Sequence, residues 1–407
     1  MEQQKIVLRE YQKVAVRTGL LALKNSKKPV IMQACTAFGK SIVIANIVKE
    51  LNEKTIVFQP SQEILEQNLA KYESYGYTAS VFSASKDRKE TDKQVIFSTI
   101  QSAYKCPELF KDVKYAIIDE GHVVNPKNTE SMYSSFFNSI KCNHVIALSA
   151  TPYRLVNRFC YDGGEKYYTG SLMMLNRIHP FFFGSIIYKM ELKDLMDAGY
   201  IMRPEYIDYS NGFDLSQLKV NSTGCDYTED SIVRYTTRED RIKNTIKAVD
   251  EYFAIKNKIL IITSCKQQAG IIYEALYKKG YDVMEVYGDT PKKQRQEIIE
   301  KFKNNNKQIL INVNALNIGF DCPSLDCIIN ARQMMSLTLL IQAVGRLVRF
   351  QEGKKPVFVD CTKTYDKFGK AEDYILAKED GFKDCLINRA TGNKITGKAL
   401  FSWKCKK

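Results

Sequence analysis

Residues 32–50, "MQACTAFGKSIVIANIVKE", decide how the chain is read: an apolar run ends in Ala34-Cys35-Thr36-Ala37-Phe38, and Gly39-Lys40-Ser41 opens a helical pattern. A helix start leaves backbone N–H groups unpaired and partly positive, so it stabilises an anion. A lysine adds a full charge, and a serine hydroxyl can ligate Mg²⁺. The phosphate-binding pattern G-x-x-x-x-G-K-[ST] is complete here except that Ala34 stands in the first glycine place. Val30-Ile31-Met32 reads as a buried strand, and Ile42, Ile44, Ala45, Ile47 and Val48 recur at helical spacing. An ordinary strand-to-helix turn carries the same signature, so a second feature has to separate the two readings.

The 407 residues are long enough for two or three domains. No apolar run approaches the ~18 to 20 residues of a membrane span, and "MEQQKIVLREYQ" at the start lacks a signal-peptide stretch, so a cytoplasmic protein without a membrane partner is expected. The eleven cysteines are scattered, mostly within apolar runs, with no C-x-x-C pair. They read as small core residues rather than a zinc site. A net charge of +14 points to a polyanionic partner, or else to a generally basic surface. From Cys385 to Lys407 there is no carboxylate, while six basic side chains gather beside Phe401 and Trp403. Such a tail fits a nucleic-acid backbone and equally a solvated terminus.

Short apolar strands alternate with helical stretches at 30, 55, 95, 115 and 145, and again at 258, 282, 308, 326 and 356. This is a doubled parallel α/β pattern. Gly199 should close a helix and Pro204 forbid its continuation, which sets a linker near 199–204. A further helix is expected from Thr237, with Asp240 completing a capping box.

"AIIDEGH", residues 116–122, supplies the second feature. Asp119 at a strand end can hold Mg²⁺ on a nucleotide, and Glu120 beside it can orient and deprotonate the attacking water. With Lys40 and Ser41 upstream, nucleoside triphosphate hydrolysis is the expected chemistry.

In this arrangement the sequence resembles the superfamily 2 helicases from Leu8 to about Asp360. "LREYQ" (8–12) is similar to the adenine-reading segment, which implies Arg9 and Gln12 at the base. "TAFGKS" resembles motif I, adding Thr36, Ala37, Phe38 and Gly39 to the phosphate loop. "DEGH" resembles the DEAH form of motif II and "SATP" (149–152) motif III, which implies a coupling role for His122, Ser149 and Thr151. "QPSQEILEQN" and "STIQS" are similar to the backbone-touching motifs Ia and Ib, implying Pro60, Ser61, Gln62, Thr99 and Gln101 as nucleic-acid contacts. "NVNALNIGFDCP" (312–323) resembles motif V, implying Asn314 and Asn317 on the strand and Gly319 and Asp321 at the nucleotide. "QAVGRLVR" (342–349) matches motif VI, implying Gln342 at the nucleotide and Arg346 and Arg349 as the cations that offset transition-state charge. Three apart on a helix, the two arginines would project from one face. The closest branch holds UvsW-type phage recombination helicases and restriction-enzyme motor domains.

The reading is therefore two tandem RecA-like P-loop domains, residues 1–200 and 201–365, followed by a basic extension at 366–407. The resemblance implies an ATP- and Mg²⁺-dependent DNA helicase or translocase acting on forks, D-loops or junctions, as a monomer. A duplex-DNA translocating restriction motor and an RNA helicase are the alternatives. Phe181-Phe182-Phe183 reads as core packing rather than a base-stacking wedge.

Overall fold

The structure is a computed structural model that describes residues 7–84, 88–125, 131–162, 165–222, 226–313, 320–381, 383–397 and 399–404. All ten strands expected from apolar runs form, and they divide between two sheets.

The first sheet is built from β1 (Val30–Ala34), β2 (Thr55–Gln59), β3 (Ser80–Ser83), β4 (Arg88–Lys89), β5 (Val95–Thr99), β6 (Tyr115–Asp119) and β7 (Val145–Ser149). A long hairpin, β8 (Tyr153–Asp162) and β9 (Glu165–Met174), then leaves the sheet before β10 (Ile186–Met190) returns to it. The order is β10-β1-β7-β6-β2-β5-β3-β4, parallel except for the short β4. Parallel pairing puts Ala34, Gln59, Thr99, Asp119 and Ser149 at one edge, where an open α/β sheet binds its ligand. These strands are buried on both faces, which is why they read as continuous apolar runs. Phe183 lies wholly in the core and Phe182 packs against Phe137, whereas Phe181 is exposed.

The linker behaves as its residues dictate. Gly199 takes φ +72°, and the N–H groups of Gly199 and Tyr200 donate to Met196 and Leu195, closing the helix Leu192–Asp197. The second sheet follows: β11 (Glu205–Asp208), β12 (Lys258–Ile262), β13 (Val283–Tyr287), β14 (Gln308–Val313), β15 (Cys327–Asn330) and β16 (Val357–Asp360), all parallel, in the order β11-β16-β15-β12-β14-β13. These are the two RecA-like domains that the sequence predicts.

Three placements differ from expectation. The helix expected from Thr237 begins at Glu239 without a side-chain cap, because Thr237 terminates a separate helix, Glu229–Thr236, its N–H and hydroxyl both bonding to the Val233 carbonyl. The helix of motif VI, Leu337–Leu347, ends before Arg349, so the two arginines do not share a helical face; Arg349 instead pairs with Ile201 of the linker in an isolated bridge. After β16 the chain also returns to the first domain. β17 (Tyr374–Glu379) and β18 (Lys383–Asn388) form a hairpin, and β19 (Ala399–Lys404) pairs antiparallel with β9, placing Trp403 opposite Tyr168 in the backbone register.

The return is fastened by buried polar groups. Glu191 accepts from the N–H of Leu376 at 2.7 Å and from Gln33 at 3.0 Å, while Lys189 donates to the Leu376 carbonyl at 3.0 Å. Asn176 donates to Asp384, and Arg177 pairs with Glu379. Eight described cysteines carry free thiols and seven of these are buried, as small core residues should be.

Candidate active site between the two domains

The phosphate loop is shaped by two left-handed residues, Ala37 at φ +65° and Gly39 at φ +88°. Ala34, in the place of the first glycine, is simply the buried last residue of β1, where a β-carbon costs nothing. A β-carbon on Gly39 would meet the Gln12 side-chain nitrogen at 2.6 Å. Gln12 is buried and donates to the Phe38 carbonyl at 2.9 Å, so the adenine-reading segment and the loop form one piece. The Arg9 guanidinium lies 4.6 Å above the ring of Tyr200, a linker residue not anticipated at the site. Tyr11 packs between Phe38 and Tyr200, with ring centroids 5.1 Å away on each side.

Lys40 forms an ion pair with Glu120. Burial by itself would lower the lysine pKa, but the charges of Glu120 and Asp119 outweigh it and hold the ammonium above its ordinary value. Burial likewise pushes Glu120 up, and Lys40 and His122 overcome this to leave its carboxyl well below the usual range. Asp119 goes the other way: burial and the neighbouring Glu120 charge raise it. Glu120 occupies a left-handed conformation at φ +55°, a strained setting for a non-glycine residue at a strand end. Gly121 follows because there is no room for more: its β-carbon would stand 2.7 Å from that of Ala147.

His122 bridges Glu120, at 3.2 Å, and Ser149, at 3.1 Å; the Ser149 hydroxyl also accepts from the Thr151 N–H at 3.2 Å. Motifs II and III are thereby joined within the first domain. Ser41 donates to Asn68 at 2.7 Å, and Asn68 in turn donates to Asp119 at 3.1 Å. Asn68, on the helix Gln62–Ser74, was not singled out from sequence, since nothing local marks a residue that acts across the sheet edge.

The second domain contributes helix Leu337–Leu347. Its apolar face, Leu337, Leu340, Ile341, Val344 and Leu347, is buried at about 1.5 to 3 kcal/mol per side chain. Gly345 on this helix abuts Thr36 of the phosphate loop. Arg346 feels the charge of Glu120 across the cleft, and burial pulls its pKa down to about 10. Arg349 is ion-paired with Asp321 and is likewise lowered by burial to about 10. Gln342 accepts from Arg346 through its carbonyl at 2.7 Å. Nearer the sheet edge, Lys292 pairs with Glu66 and Arg295 with Glu63, so the second domain also grips helix Gln62–Ser74.

Of the expected nucleic-acid contacts, Ser61 caps helix Gln62–Ser74 by accepting from the Ile64 N–H, with Pro60 and Gln62 beside it. Gln101 is exposed. Thr99 is buried and bonded to Ser102 at 3.1 Å, so its side chain is turned inward. Asn314, Asn317 and Gly319 lie outside the described residues.

The loop fits a nucleotide: two left-handed residues turn the backbone, and the Thr36 hydroxyl is buried without a hydrogen-bond partner. Among the described residues no group of three or more His, Cys, Asp or Glu side chains could hold a metal. Ser41 and Asp119, oxygen donors held together through Asn68, suit Mg²⁺, which takes one or two protein oxygens together with substrate phosphates.

Residues 5–154 match the family described as type III restriction enzyme, res subunit, and residues 244–351 match the helicase conserved C-terminal domain. Among curated proteins, "Putative ATP-dependent helicase IRC3" of Saccharomyces cerevisiae is 22% identical over 371 residues, covering 86% of this chain and 50% of that protein. The chain thus spans about half the length of this relative. Two solved structures share the fold at 17% identity and TM-score 0.63. The DNA-bound type ISP restriction-modification enzyme LlaBIII is matched over 88% of this chain and 28% of its own, and the fragment described as "a putative HsdR subunit of a type I restriction enzyme from Vibrio vulnificus YJ016" over 96% and 71%. The chain is a superfamily 2 helicase-like protein related to the motor domains of restriction enzymes.

Proposed function

We propose that this protein is an ATP-driven nucleic-acid motor that tracks along duplex DNA, and that its cleft hydrolyses ATP only when the two domains close. The observation that carries the reading is the seating of helix Leu337–Leu347 of the second domain on the phosphate loop at Thr36, which brings Arg346 within reach of the charge of Glu120, itself paired with Lys40. Mg²⁺ held by Ser41 and Asp119 would supply charge neutralisation on the phosphates.

The remaining chemistry belongs to the chain. Lys40 is engaged by Glu120, and a γ-phosphate in the loop competes for the ammonium, leaving Glu120 to take a proton from the attacking water. His122 keeps the freed carboxylate oriented through its contact with Ser149. Arg346, brought in by the second domain, offsets the charge that builds as the bond from the γ-phosphorus to the leaving oxygen of ADP breaks. An arginine supplied this way makes turnover depend on closure, and closure displaces the two nucleic-acid surfaces relative to each other. Pro60, Ser61, Gln62 and Gln101 on the first domain and Asn314 and Asn317 on the second are assigned to the backbone, which positions a strand without reading its sequence.

The relation to restriction motors favours duplex tracking without strand separation. A strand-separating helicase, working on forks, D-loops or junctions, is the second reading, favoured by the helicase description of the yeast relative; the motif run itself belongs to a branch that holds both kinds of motor. The deciding experiment measures ATPase stimulation by single strands, duplex, four-way junction and RNA, alongside triplex displacement and strand displacement. Triplex displacement without unwinding supports the first reading, unwinding supports the second, and stimulation by RNA alone replaces both. Affinity should fall with salt at a log–log slope of about −0.9 per phosphate contact on duplex and about −0.7 on single strands.

A further inference from the structure

Helix Gln62–Ser74 touches three things at once. Its N-terminus, capped by Ser61, carries the residues assigned to the nucleic-acid backbone. Glu63 and Glu66 on its first two turns receive Arg295 and Lys292 of the second domain. Two turns along, Asn68 meets the two groups assigned to Mg²⁺. Seven residues separate Ser61 from Asn68, so they lie on nearly the same helical face, about 10 Å apart.

The Asn68 amide makes three hydrogen bonds, using both of its donors. Its oxygen accepts from the Ser41 hydroxyl at 2.7 Å, and its nitrogen donates to Gln59 at 2.8 Å and Asp119 at 3.1 Å. The orientation follows from chemistry, because a carboxylate can only accept and the amide nitrogen must face Asp119. Gln59 is the buried last residue of β2, immediately before Pro60. One side chain therefore connects the phosphate-loop helix, motif II and the strand end that leads into the nucleic-acid surface. Asn68 is a positioning residue, since it acts through Ser41 and Asp119.

We propose that Asn68 carries nucleic-acid occupancy to the metal ligands: a strand seated on Pro60 to Gln62 settles helix Gln62–Ser74, and Asn68 thereby fixes Ser41 and Asp119 in the arrangement that binds Mg²⁺ with the nucleotide. The inference rests on the assignment of Ser41 and Asp119 as those ligands. Coupling of this kind is reciprocal: whatever factor nucleic acid adds to Mg·ADP affinity, Mg·ADP adds to nucleic-acid affinity.

Equilibrium binding tests it independently of hydrolysis. The Kd of fluorescent ADP is measured on the full chain with and without Mg²⁺, each with and without a saturating DNA duplex, for wild type, Asn68→Ala and Asn68→Asp. In the wild type DNA should tighten Mg·ADP binding and leave metal-free ADP unchanged. In Asn68→Ala the gain from Mg²⁺ should shrink by about 10-fold or more, the scale for losing a group that orients a metal ligand. The effect of DNA should fall toward one, with the Kd for DNA alone unchanged. The isosteric Asn68→Asp keeps the acceptor for Ser41 and loses the donor to Asp119; it should lose the coupling too, and it decides the matter if the alanine variant melts early. Retention of wild-type coupling in a folded variant overturns the proposal, as does a wild type in which DNA leaves Mg·ADP affinity unmoved. A wild type that shows the coupling yet does not hydrolyse ATP overturns the motor reading alone.

Discussion

A β-carbon on Gly345 would fall inside the van der Waals surface of the Thr36 hydroxyl, so the motif VI helix of one domain sits on the phosphate loop of the other with no space between them. Thr36 belongs to the first domain, and the seating that brings Arg346 within reach of the Glu120 charge requires a bare backbone at 345. Gly345→Ala should therefore bind nucleotide within a few-fold of wild type while losing turnover on the order of 10³-fold, the scale of a missing arginine finger. Fluorescent ADP titration beside steady-state ATPase checks it; an unaltered rate would mean that the closed arrangement is not the one that hydrolyses.

Glu120→Gln keeps the size of the side chain and removes the proton acceptor. Hydrolysis should drop by ~10² to 10⁴ while ATP still binds, since a general base typically contributes that much. Lys40→Ala should instead abolish nucleotide affinity. The pair of variants separates a base from a binding group, and equal loss of affinity in both would show that Glu120 serves binding rather than proton transfer.

Arg346 and Arg349 should not behave alike. Arg346 lies within reach of the Glu120 charge, whereas Arg349 lies beyond the helix end and is paired with Asp321. Arg346→Ala is expected to cut kcat by ~10³ or more with little change in ATP affinity. Arg349→Ala should cost less, and Asp321→Ala should cost about the same as Arg349→Ala because each removes the same ion pair. A double-mutant cycle on kcat checks the pairing.

Lys354 is buried with its ammonium donating to the carbonyls of Pro323, at 2.8 Å, and Leu347, at 2.9 Å, and burial depresses its pKa to about 8. Between that value and the ~10.4 of an unfolded lysine, the unfolded chain holds a proton that the folded chain has released, so rising pH favours the fold across this window. Below pH about 8 both states are protonated and the burial penalty stands in full. Lys354→Met should flatten the rise in melting temperature between about pH 8 and 10. A slope identical to wild type would show that the lysine is not the titrating group.

Much of this was legible in the sequence, and for a physical reason. Strands such as 55–59 and 308–313 are buried on both faces and so appear as apolar runs, and the residues at their ends fall on one edge once the pairing is parallel. Lys40, Glu120 and Arg346 could be found because each sits in a short local pattern. What escaped depends on partners far along the chain. Asn68 acquires its role from Ser41 and Asp119, Tyr200 from Arg9 and Tyr11, and the strand 399–404 from pairing more than two hundred residues upstream. Arg349 falls two residues beyond the helix expected to carry it, because the end of an apolar helix leaves little mark when it is buried.

The return of the chain to its first domain has a mechanical meaning. The second domain is entered at Ile201-Met202, where the Met202 N–H donates to the Val348 carbonyl and Ile201 lies opposite Arg349, and left near Ala371-Glu372, which bond to Tyr206 just inside it. Two crossings lying side by side act as a door hung on two pins: swinging about the line between them is easy, whereas twisting or drifting off that line strains both. In the motor proposed above, each round of opening and shutting would retrace one arc, and the stride would be set by the width of the door rather than by the slack of a tether.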